Sequence, residues 1–179
     1  MTSLMEVLKE QCAFGFTGKV NLLLSSNGQF YGVVYLQEGH IAGASCAQLT
    51  ARKALFKMIF EDVESQAHFK FIVEPELVAA SHVTMKLDYE EVKTEAQKIY
   101  QKYVSAKKLK PAMGLRLVID PEIIVAPEEI TAEEFDILTV LSEWCVVSDV
   151  YKNSKLMEFE VTNALVSLRK KRAIKVFQN

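Results

Sequence analysis

FGFTGKVNLLLSSNGQFYGVVYLQEGHIAGASC, residues Phe14–Cys46, decides the fold. Apolar runs over Val20–Leu24, Phe30–Leu36 and Ile41–Ala44 are separated by short polar turns centred on Asn27-Gly28 and Glu38-Gly39. Asn-Gly supplies two residues that tolerate the positive φ of a tight hairpin turn, and Gly39 serves the second bend in the same way. The stretch therefore predicts consecutive antiparallel strands. Within Gln29–Gln37, Phe30, Gly32, Val34 and Leu36 alternate with Tyr31, Val33 and Tyr35, so both faces are apolar and each is expected to be covered.

Helical signals flank these strands. Ser3, with Glu6 three residues on, has capping-box spacing, and Leu4, Leu8 and Cys12 repeat at helical intervals, which predicts a helix over Ser3–Ala13. After the strands the period changes: Leu49, Ala51, Leu55, Met58 and Ile59 make an apolar stripe over Gln48–Phe60. His68–Val73 reads as a closing strand stopped by Glu74-Pro75. Residues 1–80 are thus expected to form one α+β domain, a small antiparallel sheet with flanking helices.

Residues 81–130 read as a helical connector with short extended segments. Asp88–Ala106 places Val92, Ala96, Ile99, Tyr100 and Tyr103 on one face, with acidic residues near its start and lysines near its end, as the helix dipole favours. Pro111 and Gly114 end it, and Leu115–Ile119 and Ile123–Val125 read as extended pieces around Asp120-Pro121. Residues 131–179 begin with the capping box Thr131-Ala132-Glu133-Glu134, followed by Phe135, Leu138, Leu141 and Cys145 on a helical repeat. A short helix over Val147–Lys152, a turn at Asn153–Leu156, a helix over Glu158–Lys170 and a strand over Ala173–Val176 complete a reduced winged-helix or helix-turn-helix pattern. No second wing strand fits after it in the sequence.

Residues 1–80 resemble the PATAN domain, a family of bacterial signalling domains formerly of unknown function. The resemblance is carried by Thr17-Gly18-Lys19-Val20, by Tyr35 to Ala44 (YLQEGHIAGA) and by Ala54-Leu55 on the following helix. The later sections resemble chains in which this domain precedes a long helix, a Pro-containing connector and a winged-helix-like tail, through Glu133-Glu134-Phe135, Val150, Phe159-Glu160-Val161, Ala164-Leu165 and Leu168. The resemblance implies a non-enzymatic adaptor that signals by protein contact, in a motility, polarity or two-component pathway. No receiver pattern is visible in these residues, since no acidic pair follows a first strand in a doubly wound context.

Composition fits that expectation. The 179 residues carry 21 basic and 23 acidic side chains, so no global field draws the protein to nucleic acid or an anionic membrane. Three cysteines, Cys12, Cys46 and Cys145, with no close pair, predict reduced thiols in a cytoplasm. The amphipathic N-terminal pattern is not that of a secretory signal, and no run approaches the ~18 apolar residues of a membrane span.

Candidate chemistry is sparse. His40 and Cys46 lie six residues apart, but a metal site needs three or four converging ligands, and His68, His82, Cys12 and Cys145 fall on other segments. No third group orients a nucleophile pair. Glu61-Asp62-Val63-Glu64 lacks the alternation of a calcium loop and reads as a solvated loop. The glycines have no phosphate-cradling spacing. No catalytic residue, cofactor or metal is therefore expected.

The expected partner-binding residues are Tyr31, Tyr35 and His40, as aromatic groups of the sheet. Sheet edges or the long helix offer a route to a homo-oligomer. The alternative is a DNA-binding regulator using Lys152, Lys155, Arg169 and Lys170. Against it, the helix over Glu158–Lys170 opens with two glutamates, and from Thr131 onward seven basic residues meet seven acidic ones.

Overall fold

The computed structural model describes residues 3–64, 69–121 and 130–177. It divides into two compact units, Met1–Tyr100 and Gln101–Asn179. Both mix helices with antiparallel strands, and the chain is α+β.

The first unit starts with helix α1 (Leu4–Ala13), whose N-terminus carries the expected capping box between Ser3 and Glu6. Strands β1 (Gly18–Leu24), β2 (Phe30–Gln37) and β3 (His40–Cys46) form the predicted meander, and β4 (Leu49–Thr50) and β5 (Phe69–Pro75) extend it to the order β4-β3-β2-β1-β5. Gly28 has φ 69°, and the second turn uses Glu38 at φ 51° and Gly39 at φ 77°. Two register shifts interrupt the alternation, between Leu22 and Leu23 and between Tyr35 and Leu36. One sheet face presents Val20, Leu22, Val34, Leu36 and Ile41, all fully buried.

Helix α2 (Ala51–Glu64) packs on that face. A Cβ added at Gly32 would lie 2.6 Å from the Met58 sulfur and 2.8 Å from the Ser45 carbonyl, so this strand glycine marks a close helix approach. The expected helix over Gln48–Phe60 is corrected at both ends. Its start gives way to β4, because positive φ at Ala47 turns Leu49 back to pair with Cys46. Its end continues through Glu61–Glu64, the expected solvated loop. Asp62 there is buried, and its carboxylate accepts the Leu4 N–H at 2.7 Å. α1 is thereby tied to α2.

The closing strand also differs from expectation. His68 lies outside the described residues, and the strand runs on through Glu74 and Pro75, which face Lys19 and Gly18 of β1. An edge strand tolerates proline because its outer N–H needs no ladder partner. Residues 76–88 then return across the other sheet face, with a 3-10 turn at Ala80–His82. Helix α3 (Tyr89–Lys107) begins in the first unit, burying Val92 and Ala96, and continues into the second.

In the second unit, β6 (Leu117–Ile119) precedes helices α4 (Ala132–Glu143), α5 (Val147–Asn153) and α6 (Glu158–Lys170), and β7 (Ile174–Val176) pairs antiparallel with β6. The expected piece Ile123–Val125 lies outside the described residues. Thr131 caps α4 as its spacing predicts. The repeat read on α4 is corrected: Phe135 is 64% exposed, Cys145 is exposed beyond the helix end, and Ile137 occupies the centre. Trp144 already has an extended conformation, and a bridge between Arg116 and Val146 adds a strand-like contact beside β6. Ile137, Val147, Val150, Val161, Leu165 and Leu168 form the shared core.

Candidate interaction surfaces

Three sequence-selected residues of the first unit occupy two different neighbourhoods. Tyr35 stacks on His82, with ring centroids 4.4 Å apart and an 11° interplanar angle. His40 lies between the Glu38 carbonyl, 3.1 Å from Nδ1, and Asp88 Oδ1, 3.2 Å from Nε2. His82 and Asp88 both belong to the returning segment 76–88. Its backbone completes the hold: Thr84 and Met85 donate to the Ala42 carbonyl, while Ile41 and Leu87 exchange bonds as a short bridge. A Cβ on Gly43 would overlap the His82 carbonyl, which is why that strand position is glycine. Tyr31, the extra residue at the first register shift, instead packs against Phe69 of β5, centroids 4.8 Å apart.

The segment 76–88 was not legible in the sequence as an element, because LVAASHVTMK carries neither a strand nor a helix period. Gly43 in mid-strand was the available signal. The segment covers the β3 margin at Ile41 and Ala42, and β4 covers it at Ser45 and Cys46. Among the described residues, β5 at the other margin pairs with β1 alone.

His40 and Cys46 are not brought together. They are the first and last residues of β3, about 20 Å apart at ~3.3 Å per residue. Burial pushes the Cys46 thiol up, and burial with the nearby Asp88 carboxylate pushes Cys12 up to about 11. Neither is a poised thiolate. Among the described residues no group of three or more His, Cys, Asp or Glu side chains is arranged to hold a metal ion, and no helix is long and apolar enough to cross a membrane.

In the second unit, Lys152 lies in the last turn of α5, Lys155 lies in the α5–α6 turn, and Arg169 and Lys170 close α6; all four are exposed. The N-terminus of α6 is acidic and already engaged. Glu158 pairs with Lys110, and Glu160 accepts the Met157 N–H at 2.8 Å. Tyr151 and Thr162 exchange a hydroxyl hydrogen bond at 2.7 Å, which fixes α5 against α6.

A groove of about 660 Å³ opens beside α6. Leu115, Leu117, Leu165, Val166 and Val176 supply apolar lining, and Arg169 and Arg172 supply cations. Neither arginine has an ion-pair partner among the described residues. Arg172 adopts φ 58° just after α6, a left-handed conformation in which a non-glycine residue is uncommon. Sequence reasoning singled out Arg169 but missed the groove, because its apolar lining comes from residues before β6, from β6, from α6 and from β7. No family model, curated protein or solved structure matched the chain.

Proposed function

We propose that this chain is a non-enzymatic signalling adaptor that works by protein–protein contact, with the groove beside α6 as its partner site. The observation that carries the reading is the combination of an apolar lining with two guanidinium groups in the groove that have no ion-pair partner among the described residues. Interface anchors are commonly apolar or aromatic side chains seated in a pocket, with charges at the rim fixing orientation. A partner segment with one or two apolar anchors and adjacent carboxylates matches that chemistry. The resemblance of residues 1–80 to PATAN domains supports the same class of activity, in a bacterial motility, polarity or two-component setting.

The first-unit residues Tyr35 and His40 contribute differently in this reading. Their contacts with His82 and Asp88 hold the segment 76–88 on the sheet, so they support the scaffold. DNA binding through Lys152, Lys155, Arg169 and Lys170 is the competing reading. The engaged glutamates at the start of α6 weigh against it, because they set negative charge where a recognition helix meets bases.

The test compares wild type with V166D/R169E as bait in native extracts, with duplex DNA titrated in parallel at low salt. The adaptor reading expects a specific protein retained by wild type and lost by the double variant, with no salt-sensitive DNA shift. Retention of the same proteins by both baits would overturn the assignment of the groove. A DNA shift abolished by R169E/K170E would replace it with the competing reading.

A further inference from the structure

The outer edge of β5 is complementary to itself. Its seven residues pair with β1 on one side, and among the described strands nothing pairs on the other. Along it, Lys70, Ile72 and Glu74 lie opposite Leu23, Asn21 and Lys19, while Phe71 and Val73 lie opposite Leu22 and Val20 on the apolar face. An antiparallel two-fold centred on Ile72 puts Lys70 against Glu74 of the second copy, twice, and Phe71 against Val73, twice. We propose that the chain forms a homodimer by this pairing, joining two five-stranded sheets edge to edge into one continuous sheet.

Charge selects the partner and the register. Lys19 lies 3.4 Å from Glu74 and 2.8 Å from Glu76, so one cation serves two carboxylates there. Lys70 is exposed and has no ion-pair partner among the described residues. The dimer brings the missing cation to the acidic group at each end. Lysine on an edge strand ordinarily discourages edge pairing. With the opposite charge four residues on, the two-fold register turns that block into two cross-strand attractions within the strand, whereas a two-residue shift one way sets Lys70 opposite Ile72 and the other way opposite Glu76, beyond the end of β5. The apolar pairs work the same way: Val73 is 37% exposed and Phe71 half-buried in the single chain, and each gains an apolar neighbour across the seam. An isologous contact of this kind closes on itself and leaves no further edge to propagate. The β3 margin, covered by β4 and residues 84–87, offers no equivalent site.

This inference is independent of the groove beside α6, and its tests leave that groove untouched. Light scattering across a concentration series should show wild type rising from the chain mass of 20.2 kDa toward twice that value. K70E, at a position with no ion pair among the described residues to break, should raise the dissociation constant at least about tenfold, since two cross-strand attractions become repulsions. Register is read by disulfide trapping in a C145S background. I72C places two thiols directly opposite each other and should cross-link under mild oxidation. K70C should not, because its two copies would be about 13 Å apart along the seam. A wild type that stays at the monomer mass at every concentration would overturn the proposal. So would a dimer indifferent to K70E, or one that K70C traps as readily as I72C.

Discussion

Replacing Asp62 by alanine isolates the contact that ties the first helix to the second. The Asp62 carboxylate accepts the Leu4 N–H at 2.7 Å, and both residues are buried. Leu4 begins α1, so its N–H belongs to the group of helix-start donors that no intrahelical carbonyl satisfies. A hydrogen bond to an ionised group contributes roughly 1.5–3 kcal/mol, and a buried donor left without a partner costs a similar amount. Part of this is offset in wild type, because burial, outweighing the Leu4 hydrogen bond, raises the Asp62 pKa and disfavours the charged form. The net loss for D62A is therefore about 1–2 kcal/mol, or ~5- to 30-fold in the opening equilibrium.

D62N keeps an acceptor oxygen while removing the charge, and should lie within ~0.5 kcal/mol of wild type or above it. Amide exchange over Leu4–Ala13, with urea denaturation followed by far-UV circular dichroism, measures both. The pH dependence adds a check. With its pKa raised in the fold above the ordinary 3.8, Asp62 binds more protons folded than unfolded, so its contribution falls as pH rises from 3.8 through the folded pKa. D62N abolishes that slope. Unchanged exchange in D62A, or a D62N as labile as D62A, would refute the reasoning.

Four further outcomes follow from the packing. G32A must push a methyl against Met58 and the Ser45 carbonyl, and should lower stability by about 1–3 kcal/mol in denaturant titration. G43A should release residues 76–88 from the sheet, read as faster exchange of the Thr84, Met85 and Leu87 amides with less change at Val20 and Leu22. Burial raises the Glu134 pKa, but hydrogen bonds from Lys171, Ser167 and the Thr131 N–H lower it further, to a net value below the ordinary 4.5. Its contribution should therefore be full above pH 4.5 and fade as pH falls through the folded pKa; E134Q should lose that acid sensitivity in fluorescence-monitored denaturation of Trp144. Alkylation at pH 8, resolved by peptide mass spectrometry, should label exposed Cys145 first, with Cys12 and Cys46 slowed by burial and raised pKa.

Local chemistry made much of the architecture legible. The Asn27-Gly28 and Glu38-Gly39 turns, the Ser3 and Thr131 capping boxes and the apolar period of Glu158–Lys170 each depend on neighbours within a few residues, so the chain itself carries the signal. Where the reading slipped, a distant partner decided. Glu61–Glu64 looks like a solvated acidic loop until Asp62 meets Leu4, 58 residues away. Glu74-Pro75 looks like a strand stop until β1 lies beside it. Phe135 looks like a core residue until the packing of α4 places Ile137 inward instead.

The candidate surfaces divide in the same way. From sequence came the residue types: aromatics on β2, a histidine just after the Glu38-Gly39 turn, and cations near the end of α6. Only the tertiary structure settled their company, since residues 76–88 cover Tyr35 and His40, while four separate stretches of chain gather around Arg169 and Arg172. The sequence by itself determined an α+β chain with a strand meander and capped helices, because hydrogen-bonding turns and hydrophobic periods are short-range properties. Which side chains remain available, and which edge stays open, depends on long-range burial, and only the folded chain decides it.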